Sequence, residues 1–228
     1  MPTTPALLVR DLSFAHPGGP AVTIDEWSVP AGGEVLLQGP SGSGKSTILQ
    51  LLAGLLDANS GRVEIDGEDL LAVHGAERDR RRGRRIGMIF QTFNLLSGFS
   101  ARENAMLAMH FAGVPAAAHR ERAADLLGSL GLSGNELDRP VDRLSVGQQQ
   151  RVAVARALAA EPAIVLADEP TASLDPDNAA RTVDLVREAC RTRGAALLLT
   201  SHDPSLAERF ENRIDVSTFV SLPSGAGS

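Results

Sequence analysis

Tyrosine is absent from the 228-residue sequence, and cysteine and lysine occur once each, as Cys190 and Lys45. A single cysteine excludes an intrachain disulfide and a Cys-rich metal site, and a reduced compartment fits best. No apolar run approaches the roughly 18 to 20 residues that span a bilayer, so any work at a membrane has to go through a partner. Met1 to Asp11 lacks the charged-then-apolar pattern of a secretory leader, and none is expected. The net charge of −6 argues against a general nucleic-acid binder, whose affinity rests on releasing counterions from a basic surface. The basic stretch from Arg78 to Arg85 reads as a solvated, charged turn before a strand. Every other cation is arginine, which coding bias in a GC-rich genome explains. Lys45 would then mark a place where a compact ammonium fits and a broad guanidinium does not.

Against these absences, 43% of residues are hydrophobic and 22% charged, enough to bury the core of one α/β unit. Leu7 to Phe14 and Val22 to Val29 flank a Pro/Gly turn and predict a β-hairpin. Glu34 to Gln38 predicts a strand entering a glycine-rich loop, Lys45 to Leu56 a helix, and Arg62 to Ile65 another strand. After a strand at Ile86 to Phe90 come two helical stretches, Ala101 to Ala112 and Ala116 to Leu130, with no strand between them. Ser145 to Ala160 and Pro176 to Arg193 predict helices that alternate with the apolar strands Ala163 to Ala167 and Ala195 to Thr200. Apolar strands alternating with helices indicate a buried, mainly parallel sheet. The expected organisation is one domain over 1–222, with a core from 1–91 and 143–222, an N-terminal antiparallel β subdomain, and a helical insertion over 92–142. A flexible tail is expected at 223–228.

Gly39, Pro40, Ser41, Gly42, Ser43, Gly44, Lys45 and Ser46 match G-x-x-x-x-G-K-[ST] between a predicted strand and helix, the context of a P-loop NTPase phosphate loop. Glycines let successive N–H groups curl around an anion, and the helix that starts here, with Thr47 in its first turn, adds its positive end. Lys45 is placed on the β- and γ-phosphates of ATP, and the Ser46 hydroxyl on Mg²⁺. Ala163 to Glu169 is an apolar strand that ends in two carboxylates at the carboxyl edge of the sheet, facing that loop. Asp168 suits Mg²⁺, and Glu169 suits a general base that polarises the attacking water. A solvated Asp-Glu pair at a strand end is common, so this assignment depends on the phosphate loop upstream.

Leu144-Ser-Val-Gly-Gln-Gln-Gln-Arg151, followed by Val152-Ala-Val-Ala-Arg-Ala-Leu158, resembles the signature of the ATP-binding cassette family. Ser145 reads as an N-cap, and with Gly147, Gln148 and the helix dipole it would make a second anion site. In the family that site faces a nucleotide held by a second subunit, so the resemblance implies a head-to-tail homodimer or paired cassette. Val146 stands where the family has glycine, and a positive φ there would strain a β-branched residue. The resemblance extends over nearly the whole chain. It implies that Gln91 touches Mg²⁺ and water, that Asp175 ends a dimer-contact loop, and that His202 is a switch histidine at the γ-phosphate. With no tyrosine for adenine to stack on, alignment places His16 there, with Phe14 as the fallback. Trp27, Cys190, His74, His110 and His119 carry no motif and read as packing or surface.

Phe90-Gln-Thr-Phe-Asn-Leu-Leu96 is most similar to cassettes that drive lipoprotein release and macrolide or glycolipid export. That similarity implies an integral membrane permease as partner, a peripheral place on the cytoplasmic face of the inner membrane, and no nucleic-acid partner. It makes Phe93, Leu95 and Leu96 candidate docking residues. Two alternatives stay open: a regulatory ATPase of the cell-division type, which signals through a membrane partner, and a soluble cassette acting on DNA or ribosomes. The second usually has tandem cassettes or long coiled-coil insertions, which are missing here.

Overall fold

The computed structural model describes residues 4–15, 21–172 and 174–221. Strands β1 (Leu7–Ala15) and β2 (Ala21–Val29) pair antiparallel, Leu7 opposite Val29 and Phe14 opposite Val22. Strand β4 (Ser60–Ile65) joins the other side of β1, and the short β5 (Glu68–Asp69) folds back onto β4. Asp66 and Gly67 both have positive φ, 50° and 79°, as the twist of a two-residue hairpin demands. Strand β10 (Val220–Ser221) closes this antiparallel sheet on the outer side of β2. The two C-terminal strands thus lie in different sheets, because β9 (Asn212–Asp215) pairs with the parallel one.

The parallel sheet runs in the order β6 (Ile86–Ile89), β7 (Ile164–Asp168), β8 (Ala196–Ser201), β3 (Glu34–Gln38), β9. Alternate residues of β7 serve different cores. Val165 and Ala167 pack among the helices, whereas Ile164 and Leu166 face the space between the sheets. A strand buried on both faces has no place for polar residues until it ends, so the polar residues of β7 and β8 collect at the carboxyl edge. There Asp168 lies beside Thr200, and Gln38 beside Ser201.

Six α-helices are seen among the described residues: α1 (Lys45–Leu52), α2 (Gly75–Arg85), α3 (Ala101–Ala112), α4 (Ala116–Ser129), α5 (Val146–Leu158) and α6 (Pro176–Arg193). The capping box of Ser100 and Glu103 starts α3, and Gly113 in the left-handed region ends it. Helix α1 stops at Leu52, four residues short of the sequence expectation, where Gly54 (φ 63°) and a Leu55 N–H bonded to Gln50 unwind it.

The stretch from Arg78 to Arg85 is a helix rather than a turn. Glu77 pairs with Arg80 and Arg81, and Asp79 with Arg82, at the spacings that stabilise helices. Arg78 points inward to Asp57, the Val73 carbonyl and His74. Arg85 reaches Asp66 and Glu68 on the neighbouring sheet. Phe93 is only 9% exposed and does not belong to any docking surface; Leu96, Phe99 and Phe111 are the large exposed apolar residues of this region.

Trp27 packs on Phe219, ring centres 5.0 Å apart. Cys190 is buried, and desolvation, aided by the charge of Glu34, pushes its thiol up to about 12, which makes it unreactive. His119 is buried with its Nε2 2.8 Å from the Val114 carbonyl.

Gly87 of β6 lets α5 lie directly on the sheet, since a Cβ there would collide with the Ala157 carbonyl. Gly87→Ala should therefore destabilise the protein by about 1–3 kcal/mol, the usual range for overpacking, read as a lower midpoint in urea unfolding.

Candidate active site

The loop after β3 turns into α1 at Gly44, whose φ of 97° is open to glycine and strained for other residues. Lys45 opens α1 and is 3% exposed. Its Nζ donates to the carbonyls of Gly39 (2.8 Å) and Pro40 (2.9 Å) and lies 2.9 Å from Glu169 Oε1. Gly42, Gly44, Lys45, Ser46, Thr47 and Glu169 line one concavity, which is therefore floored by the start of α1. Ser41 stands exposed beside it, and Gly39 is held below through its N–H to the Ser201 carbonyl (3.4 Å). Ser43 Oγ is buried without a hydrogen-bond partner among the described residues. Helix-end amides, an ammonium and glycine backbone make this an anion site.

The two carboxylates that end β7 take different environments. Asp168 Oδ1 accepts from Ser46 Oγ (3.1 Å) and Thr200 Oγ1 (3.0 Å). A hydroxyl and a carboxylate oxygen converging beside a phosphate-sized concavity are the donor set of a small hard cation such as Mg²⁺. Among the described residues no three His, Cys, Asp or Glu side chains cluster to hold a metal, so phosphate, water or an amide oxygen such as that of Gln91 would have to complete the set.

Glu169 has a left-handed backbone (φ 42°), fixed by its N–H to Thr200 Oγ1 (3.0 Å). Its carboxylate spans Lys45 on one oxygen and His202 Nδ1 on the other (2.9 Å). Because an ionised carboxylate only accepts, that contact puts a hydrogen on Nδ1 and directs Nε2 elsewhere. Burial pushes the Glu169 carboxyl up, but the hydrogen bonds and charges of Lys45 and His202 outweigh it and hold it below the usual glutamate value. Thr200, whose hydroxyl donates to the Asp168 carboxylate and accepts from the Glu169 backbone N–H, escaped the sequence reading; the available signal was a hydroxyl ending an otherwise apolar strand, two residues before His202.

Gln91 stands two residues past Ile89, which pairs with Ala167, and so lies at the same sheet edge as Asp168. It is exposed and makes no side-chain hydrogen bond among the described residues. His16 lies outside the described residues; Phe14 is half-buried in β1 and packs on the core between the sheets.

Ser145, Val146, Gly147 and Gln148 form the start of α5. Ser145 Oγ accepts from the Gln148 N–H (3.3 Å), and Gln148 Oε1 accepts from the Ser145 N–H (2.9 Å), a complete capping box. Val146 is the first residue of the helix, 58% exposed, and is not among the residues with positive φ. The strain anticipated for a β-branched residue is therefore absent, because the first turn of an α-helix needs no left-handed residue. Gln148 also bonds Glu136, Gln149 the Val141 and Leu144 carbonyls, and Gln150 the Thr182 hydroxyl.

Val146 and Gly147 line a cavity of 580 Å³ that shares no residue with the concavity around Lys45. Within one chain the two anion sites are not brought together. Leu174 belongs both to that cavity and to the one around Glu169 and His202. Asp175, next to it, is the N-cap of α6, its two carboxylate oxygens bonded to the Asn178 N–H (3.1 Å) and Nδ2 (2.7 Å).

The depressed Glu169 carboxyl has a consequence for stability. A carboxyl whose folded value lies below its unfolded value, near 4.3, stabilises fully above that pH and loses the contribution as pH falls through the folded value. The lead of wild type over Glu169→Gln in unfolding free energy should accordingly be flat above about pH 6 and shrink below about pH 4. Urea titrations at several pH values measure it, and a lead that grows on acidification contradicts the assignment.

A family model described as ABC transporter matches residues 23–172. The methionine import ATP-binding protein MetN of Caulobacter vibrioides is 40% identical over 204 residues, 90% of this chain, but the match spans only 61% of MetN. The lipoprotein-releasing system ATP-binding protein LolD of Anaeromyxobacter dehalogenans is 44% identical over 220 residues, 93% of this chain and 91% of LolD. Among solved structures, the dimeric post-hydrolysis state of the ATP-binding cassette MJ0796, bound to ADP and Pi, superposes with a TM-score of 0.75 at 31% identity, covering 92% of this chain and 93% of that one. With the phosphate loop, the paired carboxylates and the capped signature helix in place, the chain belongs to the ABC transporter family and is one of its ATP-binding, ATP-hydrolysing subunits.

Proposed function

We propose that two copies of this chain, or this chain and a related cassette, close head to tail on ATP and drive an integral membrane permease of the lipoprotein-release or export type. The observation that carries the catalytic half of this reading is Glu169, fixed between Lys45 and His202 at the mouth of the phosphate loop. A bound triphosphate would draw the Lys45 ammonium onto its own oxygens. Glu169 Oε1 would then be available to accept a proton from an attacking water, with His202 orienting the carboxylate through the other oxygen.

Ser46 and Asp168 would hold Mg²⁺ with Gln91 nearby, and the metal would offset charge on the β- and γ-phosphates. Gly39 to Thr47 would bind the phosphates, and His16, or Phe14 in its place, would stack on adenine. Ser145, Val146, Gly147 and Gln148 would meet the γ-phosphate of the opposing copy, and the segment ending at Asp175 would lie along the join. The separation of the two anion sites within one chain supports such a pairing.

The export subtype rests on LolD, which the match covers almost end to end, whereas MetN is matched over only part of its length. The permease would seat against the exposed Phe111 and the groove it forms with Met88, Phe90 and Ala108. The cytoplasmic face of the inner membrane follows from that partner. No helix among the described residues is long and apolar enough to cross a membrane.

Glu169→Gln should retain ATP binding, lose about a hundred-fold or more in turnover, and run as an ATP-dependent dimer on gel filtration. Turnover within a few-fold of wild type would remove Glu169 as the base. Affinity purification of the tagged chain from detergent-solubilised membranes should recover a multi-spanning membrane protein; recovery of the chain alone counts against the transport reading.

A further inference from the structure

Arg156, in the last turn of α5, spends its charge on a loop. Nη1 donates to the Asn94 carbonyl (2.5 Å) and Nη2 to the Phe93 carbonyl (2.6 Å). Both acceptors belong to residues with left-handed backbones, φ 58° at Phe93 and 47° at Asn94. Asparagine takes that conformation readily, but a bulky phenylalanine there is strained and needs outside support. Burial lowers the pKa of Arg156, and no carboxylate pairs with it among the described residues. A half-buried guanidinium that gives both its terminal nitrogens to two neutral carbonyls, with no carboxylate to offset its charge, is a costly way to fasten an ordinary surface loop.

The position of that loop gives the contact its meaning. Phe93 and Asn94 follow directly on Gln91 and Thr92, and α5 carries Ser145 to Gln148 at its other end. The far side of the loop is fastened to the same helical block. The Leu96 N–H donates to Asn104 Oδ1 (2.8 Å), Asp142 accepts from the Ser97 hydroxyl (2.9 Å) and the Gly98 N–H (2.8 Å), and the Val141 N–H donates to the Phe99 carbonyl (2.9 Å). Between β6 and these fastenings lie only Phe90, Gln91 and Thr92.

We infer that Arg156 is a positioning residue which makes the loop behind Gln91 travel with the signature helix, so that Gln91 approaches the Asp168 edge only when the start of α5 is correctly placed. This rests on the proposed role of Gln91. It assigns a function to Arg156 that does not involve touching nucleotide.

A double-mutant cycle on the full chain tests it. Gln91→Ala should lower kcat about ten-fold or more. Arg156→Met, which keeps the stem and removes the donors, should lower kcat several-fold, with the KM for ATP within two-fold and an unchanged melting curve. If Arg156 acts through Gln91, the double variant is no slower than Gln91→Ala alone; multiplicative losses overturn the inference. Amide hydrogen exchange supplies a readout independent of turnover. Residues 91–96 should exchange at least ten-fold faster in Arg156→Met while 147–155 stay protected, and unchanged exchange in 91–96 also overturns it.

Should Arg156→Met fail to accumulate in folded form, Arg156→Lys, which keeps the cation but not the fork, goes through both measurements with smaller changes in the same direction. A normal kcat in Gln91→Ala would refute the role of Gln91. The exchange result would still decide whether Arg156 holds the loop.

Discussion

A buried ammonium with its three protons fully committed is the constraint on which the rest of this molecule depends. Lys45 Nζ has three acceptors, the Gly39 and Pro40 carbonyls and one oxygen of Glu169, and an ammonium has three donors to give. A charge so far out of water is tolerable only when it is hydrogen-bonded and paired. Satisfying it requires that the end of β3, the glycine loop, the start of α1 and the end of β7 all meet at one point. Parallel strands provide such a meeting place, because their carboxyl ends share an edge and their connections run back behind the sheet. Thr200, from β8, then ties the Asp168 carboxylate at the end of β7 and the Glu169 backbone N–H just past it to a third strand.

How much of this could be read from the residues depends on how local the cause was. Strands β3, β7 and β8 were legible because burial on both faces leaves an unmistakable apolar run, and α6 was legible to the residue because Asp175, Pro176 and Gly194 mark its ends. The phosphate loop and the carboxylates were legible as chemistry, since glycine, a lone lysine and paired acids at that spacing have few other uses. What escaped was tertiary. Eight residues rich in arginine look like a solvated turn until Asp57, Asp66 and Glu68 arrive from elsewhere to pair with them. Phe93 looks like a surface residue until the positive φ of its own backbone turns it inward. Val146 looked strained because a glycine was expected at its place, yet the residue that follows the Ser145 cap takes ordinary helical angles, which a β-branched side chain accepts.

The signature segment shows the same economy of polar groups as the phosphate loop. Ser145 and Gln148 satisfy each other's backbone amides, and Gln149 and Gln150 tie the helix to its approach and to α6. Those bonds use side chains that could otherwise have reached a ligand. If a phosphate meets this segment as proposed, what remains for it is the Ser145 hydroxyl proton, the Gly147 amide and the positive end of α5. A site built from so few donors would be weak alone, and in the proposed pairing it would act only with a second set of donors already holding the same phosphate.

That division accounts for the placement of the remaining parts. The strong half around Lys45 and the weak half around Ser145 occupy separate cavities, and Leu174 walls both the signature cavity and the one around Glu169 and His202. Asp175 fixes the start of α6 immediately behind Leu174, so any displacement of this segment is felt in both places. If two copies meet as proposed, each supplies its weak half to the other's strong one. The same contact would then set the position of α5, and through Arg156 the loop that follows Gln91. Hydrolysis would be gated by geometry rather than by affinity. A phosphate bound to Lys45 in a lone chain would then find the proposed base in place but neither the opposing donors nor a correctly seated Gln91.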